Sequence, residues 1–172
     1  SFPTRRSSDL VRDRSLSDWD GEWQSVYPYL QEGILDEVME RKAENGNKTA
    51  EEYRAYYETG YKTDVSKITI NAENNTMCFV KNGVEAKAAY QYKGYQIYDY
   101  KSGSRGVRYF FEATDGDADA PKYVQFSDHG IAPGKAEHFH IYFGNEGFDA
   151  LSQEMEHWPT YYPMDMSGDR KS

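Results

Sequence analysis

From Tyr61 onward the chain falls into short β-type runs, rich in apolar and aromatic residues, at 66–70, 77–80, 84–92, 95–100, 107–112, 122–128 and 138–143. Runs of this length and composition predict β-strands, whose successive side chains point to opposite faces. Between the runs lie Asn74-Asn75, Asn82-Gly83, Lys93-Gly94, Ser102-Gly103-Ser104-Arg105-Gly106 and Asp115-Gly116, which tolerate the tight or left-handed backbone of hairpins. Regularly spaced strands joined by such turns predict a mainly β fold, an antiparallel up-and-down barrel; a parallel sheet would need longer crossovers. Helices are added to it. Ile34, Leu35, Val38 and Met39 recur at helical spacing and predict a helix over 34–44, stopped at Asn45-Gly46. Thr49-Ala50-Glu51-Glu52 has the form of a capping box, opening a second helix that Gly60 should close. Leu151 and Met155, four apart, predict a helix over 148–157, followed by the extended strap Trp158-Pro159-Thr160-Tyr161-Tyr162-Pro163.

Parity in the last two predicted strands separates packing from chemistry. Val124, Phe126, Phe139, Ile141 and Phe143 share an apolar face, whereas Gln125, Ser127, His129, His138, His140 and Tyr142 share the opposite one. Three of the chain's four histidines are therefore on one side of one predicted hairpin, whose connection carries Gly130, Pro133 and Gly134. Three neutral imidazole nitrogens make three corners of a zinc tetrahedron, with water or another ligand as the fourth. His129, His138 and His140 are the candidate metal ligands. Gln125, Ser127 and Tyr142 are placed to hold the free ring nitrogens, which would fix tautomer and orientation.

With 172 residues the chain is long enough for one compact domain with a real core, and too short for two ordinary ones. A formal charge of -9 with no Lys/Arg stripe argues against nucleic acid or anionic lipid as a partner and favours attraction of cations. No apolar run approaches the roughly 20 residues of a membrane-spanning helix. Cys78, the sole cysteine, leaves the redox compartment undecided. Residues 1–10 lack an apolar pattern and read as a non-native, adapter-derived segment, 11–165 as a single metal-binding domain, and 166–172 as a disordered tail. On that reading any true signal peptide, lipid-anchoring cysteine or upstream domain would have been lost before residue 11, and its absence means nothing.

Other features carry plainer readings. His157 is expected near a helix C-terminus, where a histidine gains from the macrodipole without ligating. Asp115-Gly116-Asp117-Ala118-Asp119 begins like a calcium loop, but Ala120 stands where glycine is required and Phe126 where glutamate is, so a solvated acidic hairpin is expected. Tyr90, Tyr92, Tyr95, Tyr98 and Tyr100 read as amphipathic sheet residues.

Several separated segments together resemble the ZinT (YodA) family in order: residues 19–28, beginning Trp19-Asp20-Gly21-Glu22-Trp23, then Lys101-Ser102-Gly103 with Gly106-Val107-Arg108-Tyr109, residues 120–129, His138-Phe139-His140, and the Trp158 to Pro163 strap. The resemblance runs from about residue 16 to residue 163. It implies a calycin fold, a lipocalin-like barrel with added helices, that binds zinc and also cadmium outside the cytoplasm and serves zinc acquisition with an ABC importer. It also places the family's three metal histidines on His129, His138 and His140. The cysteine pair of enterobacterial members is replaced by Ala88 and Ala113, and the His-rich segment of some relatives is missing. The loss of that cysteine pair, together with Asp128-His129-Gly130-Ile131-Ala132-Pro133 and His157-Trp158-Pro159, makes the chain similar to the ZinT-like C-terminal domains of Gram-positive zinc-binding lipoproteins of the AdcA type, in which a solute-binding domain precedes this one.

The expected function is capture of Zn(II), or Cd(II), on the three histidines, in the periplasm or on a Gram-positive cell surface, for the binding component of a zinc importer or a fused solute-binding domain. Membrane association would come only through a lost lipid anchor. Binding should weaken as pH falls toward the histidine pKa of about 6.5, because imidazolium cannot ligate. One alternative is a hydrolase or lyase with a three-histidine, water-bearing zinc centre. It lacks a placed base, since parity turns Glu137 away from its neighbours. Another is a lipocalin-like binder of a small apolar molecule.

Overall fold

The computed structural model describes residues 10–99 and 105–165. Eight strands form a closed antiparallel barrel in chain order: β1 (Gly21–Ser25), β2 (Val65–Asn71), β3 (Thr76–Lys81), β4 (Val84–Asp99), β5 (Arg105–Gly116), β6 (Tyr123–Ser127), β7 (Phe139–Gly144) and β8 (Thr160–Pro163). Closure is made by β8 against β1, with Gln24 opposite Tyr162 and Ser25 opposite Tyr161. The expected meander is what forms. At the β3–β4 hairpin Asn82 and Gly83 both have positive φ, 52° and 78°, the mirror-image turn that matches strand twist.

The inner wall is apolar and filled. Trp19, in a 3-10 turn at Leu16–Trp19, is fully buried and stacks on Phe126 at 4.7 Å between centroids. Edge contacts of Phe126 with Phe111 and Phe139, and of Trp23 with Phe139, carry the core across the barrel. This occupancy argues against the apolar-ligand alternative, because the space such a ligand needs is taken by the protein's own rings. The apolar face expected from parity is inward, with Val124 opposite Phe143 and Phe126 opposite Ile141.

Helices α1 (Tyr27–Gln31), α2 (Asp36–Asn45) and α3 (Ala50–Tyr61) follow β1 and build a second core around Val26, Leu30, Leu35, Met39, Tyr61 and Tyr162. Tyr162 alternates with the inward Tyr161 on β8, so this second core lies against the outside of the barrel. The Thr49 capping box is present in full, with Glu52 N–H donating to Thr49 Oγ1 and Thr49 N–H to the Glu52 carboxylate.

Four local expectations are corrected. Residues 84–92 and 95–100 do not form two strands across a Lys93-Gly94 turn; β4 runs unbroken to Asp99, the register merely shifting between Tyr92 and Gly94. Continuous pairing with β5 stabilises a bulge there, and Gly94 supplies its φ of 103°. Tyr100 lies outside the described residues. Gly60 does not end α3, which continues to Tyr61. It is needed because a Cβ would sit 2.3 Å from the Trp158 ring. The final helix, α4, spans only Phe148–Ser152. His157 therefore lies beyond any helix end, and its partner is the Glu154 carboxylate at 3.1 Å in place of a macrodipole. The acidic hairpin is partly ordered, since Asp117 accepts from Lys87 N–H at 2.9 Å. Residues 1–9 and 166–172, the expected adapter segment and tail, lie outside the described residues.

Candidate metal centre

His140 stands on β7 with its side chain on the outer face, Phe139 and Ile141 being fully buried on the inner one. His138 immediately precedes β7, and His129 lies in the connection that leaves β6. One coordinating nitrogen from each of the three falls within 4.8 Å of the other two. The ring centroids are 5.9 to 6.2 Å apart. Nitrogens around one tetrahedral zinc at 2.0–2.1 Å are separated by roughly 3.4 Å, so small side-chain rotations bring this set onto an ion. The donor set is neutral and suits zinc.

The tautomer of His140 follows from its neighbour. Thr160, directly opposite His140 in the β7–β8 ladder, donates its hydroxyl proton to the Trp158 carbonyl at 2.9 Å. Its oxygen can then only accept from His140 Nδ1–H, 2.7 Å away, which leaves Nε2 with a lone pair for a metal. His140 packs edge-on against Trp158, and His138 stacks on Tyr162 at 5.2 Å. Burial, and then the other two histidines, push His140 down to about 4. Burial and His129 also lower His138. Both rings are thereby kept in the neutral form that ligates.

His129 is held by an apparatus invisible to local pattern. Its φ of 69° is left-handed, a conformation costing an L-residue roughly 1–2 kcal/mol and requiring support from its surroundings. The support begins at the preceding residue. Asp128 takes a two-pronged bond from Arg14, Nη1 to Oδ1 at 2.6 Å and Nη2 to Oδ2 at 2.8 Å, and also accepts from Gly130 N–H. Arg14 further donates to Asp18 and to the Gly130 and Gly134 carbonyls, and its guanidinium lies 4.3 Å from the Trp19 ring. Its side chain and that of Asp128 are 1% and 3% exposed, so the pair acts through little solvent screening. Although burial opposes its charge, Asp128 and Asp18 hold the guanidinium firmly protonated. Asp18 also receives Gly134 N–H, and its carbonyl receives Ala136 N–H.

The sequence expectation for the supporting residues needs correction. Gln125 and Tyr142 share the outer face with the histidines but sit farther along it: Gln125 bonds Arg108, Phe148 and Ser152, and Tyr142 lies under the Arg108 guanidinium at 3.7 Å. Parity gives the face of a strand, not the height along it. Thr160, Trp158 and Tyr162 serve the histidines instead, and only the aromatic strap hinted at them. Glu137 is exposed and does not share the three-histidine cluster.

A cavity of about 330 Å³ opens beside the site, with His138 and His140 in its wall together with Lys42, Tyr57, Tyr61 and Trp158.

Comparison with known proteins agrees with this architecture. The family model described as ZinT (YodA) periplasmic lipocalin-like zinc-recruitment matches residues 6–171. Zinc-binding protein AdcA of Streptococcus pyogenes serotype M1 is 57% identical over 160 residues, 92% of this chain but 31% of that protein. Probable metal-binding protein YrpE of Bacillus subtilis is 54% identical over 159 residues, 92% of this chain and 62% of that protein. The chain thus spans about a third of the length of the AdcA relatives. The crystal structure of the Zn(II)-bound ZinT-like domain of Streptococcus pneumoniae AdcA superposes with a TM-score of 0.89 at 52% identity, covering 97% of this chain and 96% of that one. A closed barrel with a three-histidine cluster on its outer wall, matched by the family model almost end to end, belongs to the ZinT (YodA) family.

Proposed function

We propose that this chain is a zinc-binding module that captures Zn(II) on His129, His138 and His140 and supports zinc acquisition by an ABC importer. The observation that carries the reading is the convergence of one nitrogen from each histidine within 4.8 Å. Two of them are buried enough to stay neutral, and Thr160 directs His140 Nε2 away from its own bond. Three neutral ligands leave the ion its double charge and an open corner, which favours exchange over permanent retention. The kinship with AdcA supports delivery to a solute-binding partner or fused domain outside the cytoplasm, in the periplasm or on a Gram-positive surface, and Cd(II) fits the same donors. The functional unit is residues 11–165. Binding is favoured over catalysis because the clustered groups include no carboxylate to serve as general base.

Calorimetric zinc titration of the wild type beside His129→Ala, His138→Ala and His140→Ala tests this. Each substitution should weaken binding at least 100-fold, while His157→Ala leaves it within a factor of two. Retention of wild-type affinity by all three single variants, or its loss only at His157→Ala, would refute the site.

A further inference from the structure

The cavity beside the histidines has an unusual charge balance for a chain of formal charge -9. Among the described residues lining it there is no Asp or Glu, and its one lysine or arginine is Lys42. Asp128, the carboxylate beside His129, is already committed to Arg14, and Glu137 is exposed in a separate hollow shared with His138. The remaining wall is largely aromatic: Tyr57, Tyr61 and Trp158 contact one another edge-on or tilted at 5.1 to 5.6 Å, and Trp158 reaches His140. Lys42 Nζ lies 5.3 Å from the centre of the Tyr57 ring, so its charge is held at this wall.

A divalent ion on three neutral imidazoles would add two positive charges at the same cavity wall as that lysine. Among the described residues no carboxylate lines the cavity. Burial raises the Tyr61 phenol far above its ordinary range, so it stays a neutral donor and does not become a phenolate. An anion from outside meets both needs, occupying the open corner of the metal and offsetting the charge of Lys42. Rings on several sides select a flat or apolar body behind the anionic group, and 330 Å³ is ample for a molecule of amino-acid size.

We propose that the cavity is a co-ligand site, in which a small organic carboxylate completes the coordination of the bound metal against the aromatic wall and Lys42. The metal is thereby taken up and released as a ternary complex, and its retention depends on carboxylate concentration. This rests on the three-histidine reading above.

Cobalt(II), whose visible bands report its coordination sphere, replaces zinc in the test, with acetate and benzoate as probes. Cobalt is first titrated into wild type and His140→Ala in carboxylate-free buffer. Binding equal in both would overturn the histidine site itself; binding lost in the variant leaves it standing and the co-ligand open to test. Adding carboxylate to the cobalt-loaded wild type should then shift the bands saturably at one equivalent per metal, benzoate binding about tenfold tighter than acetate. Lys42→Gln should weaken both anions at least fivefold without lowering cobalt affinity in carboxylate-free buffer, and Lys42→Arg should restore them. Bands that ignore carboxylate, or respond alike in wild type and Lys42→Gln, would overturn the proposal.

Discussion

Thr160 decides what His140 can do. Its single proton is given to the Trp158 carbonyl, so it accepts from Nδ1 and leaves the Nε2 lone pair free for the proposed metal. Thr160→Val keeps the shape but removes the acceptor, stranding the Nδ1–H and freeing the tautomer. Zinc affinity should fall about 10–100-fold, the usual effect of losing such a partner, and calorimetry returning the wild-type value would refute the assignment. The same burial has a pH signature. A histidine pushed down to about 4 when folded titrates near 6.5 when unfolded, so the unfolded chain binds the extra proton between those values. Metal-free protein should therefore keep this contribution above about pH 6.5 and lose stability as pH falls toward 4. Urea melts at pH 7 and pH 5 will show it as a drop in midpoint that is smaller in His140→Ala. It also follows that acid suppresses ligation at His138 and His140 at lower pH than free imidazole would indicate.

At the scale of elements, the β6–β7 connection can hold His129 beside the other two histidines because a segment more than a hundred residues earlier fastens it. Arg14→Met leaves Asp128 buried and uncompensated, a change that costs about 3–5 kcal/mol where one member of a buried pair is removed. It should lower the denaturation midpoint accordingly and also weaken zinc binding through His129; a melt within 1 kcal/mol of wild type would contradict the role given to the pair. Gly60→Ala drives a methyl into the Trp158 ring, so it should cost ~1–3 kcal/mol and change the tryptophan emission, whereas a purely conformational glycine would alter stability alone. Alternation and turn residues made the barrel legible, and parity put the three histidines on one face. What stayed hidden depends on distance in the chain or height in the sheet. Nothing near Arg14 signals that it bonds Asp128, and no local pattern distinguishes Gln125, which faces Arg108, from Thr160, which faces His140. Lys93-Gly94 misled because a bulge and a hairpin use the same residue types.

For the whole molecule, the proposed metal site is an addition to a barrel that has its own core. Ring packing from Trp19 to Phe139 and the β1–β8 closure involve none of the three histidines. Chelation should therefore lower the melting temperature without abolishing the fold. Zinc in hundredfold excess over its Kd stabilises by about 2.7 kcal/mol, and loss of near-ultraviolet circular dichroism on adding chelator would show instead that the core depends on the ion. The ring of strands also bears on how such a module lives beside other domains. Each strand has a neighbour on both sides in the barrel wall, and among the described residues only the long β4–β5 ribbon, which runs past β3 and β6, leaves a backbone edge on which a foreign segment could add. A module of this kind can be tethered at high local concentration to a mobile protein neighbour and still meet it through side chains over most of its wall, with strand addition confined to that one ribbon.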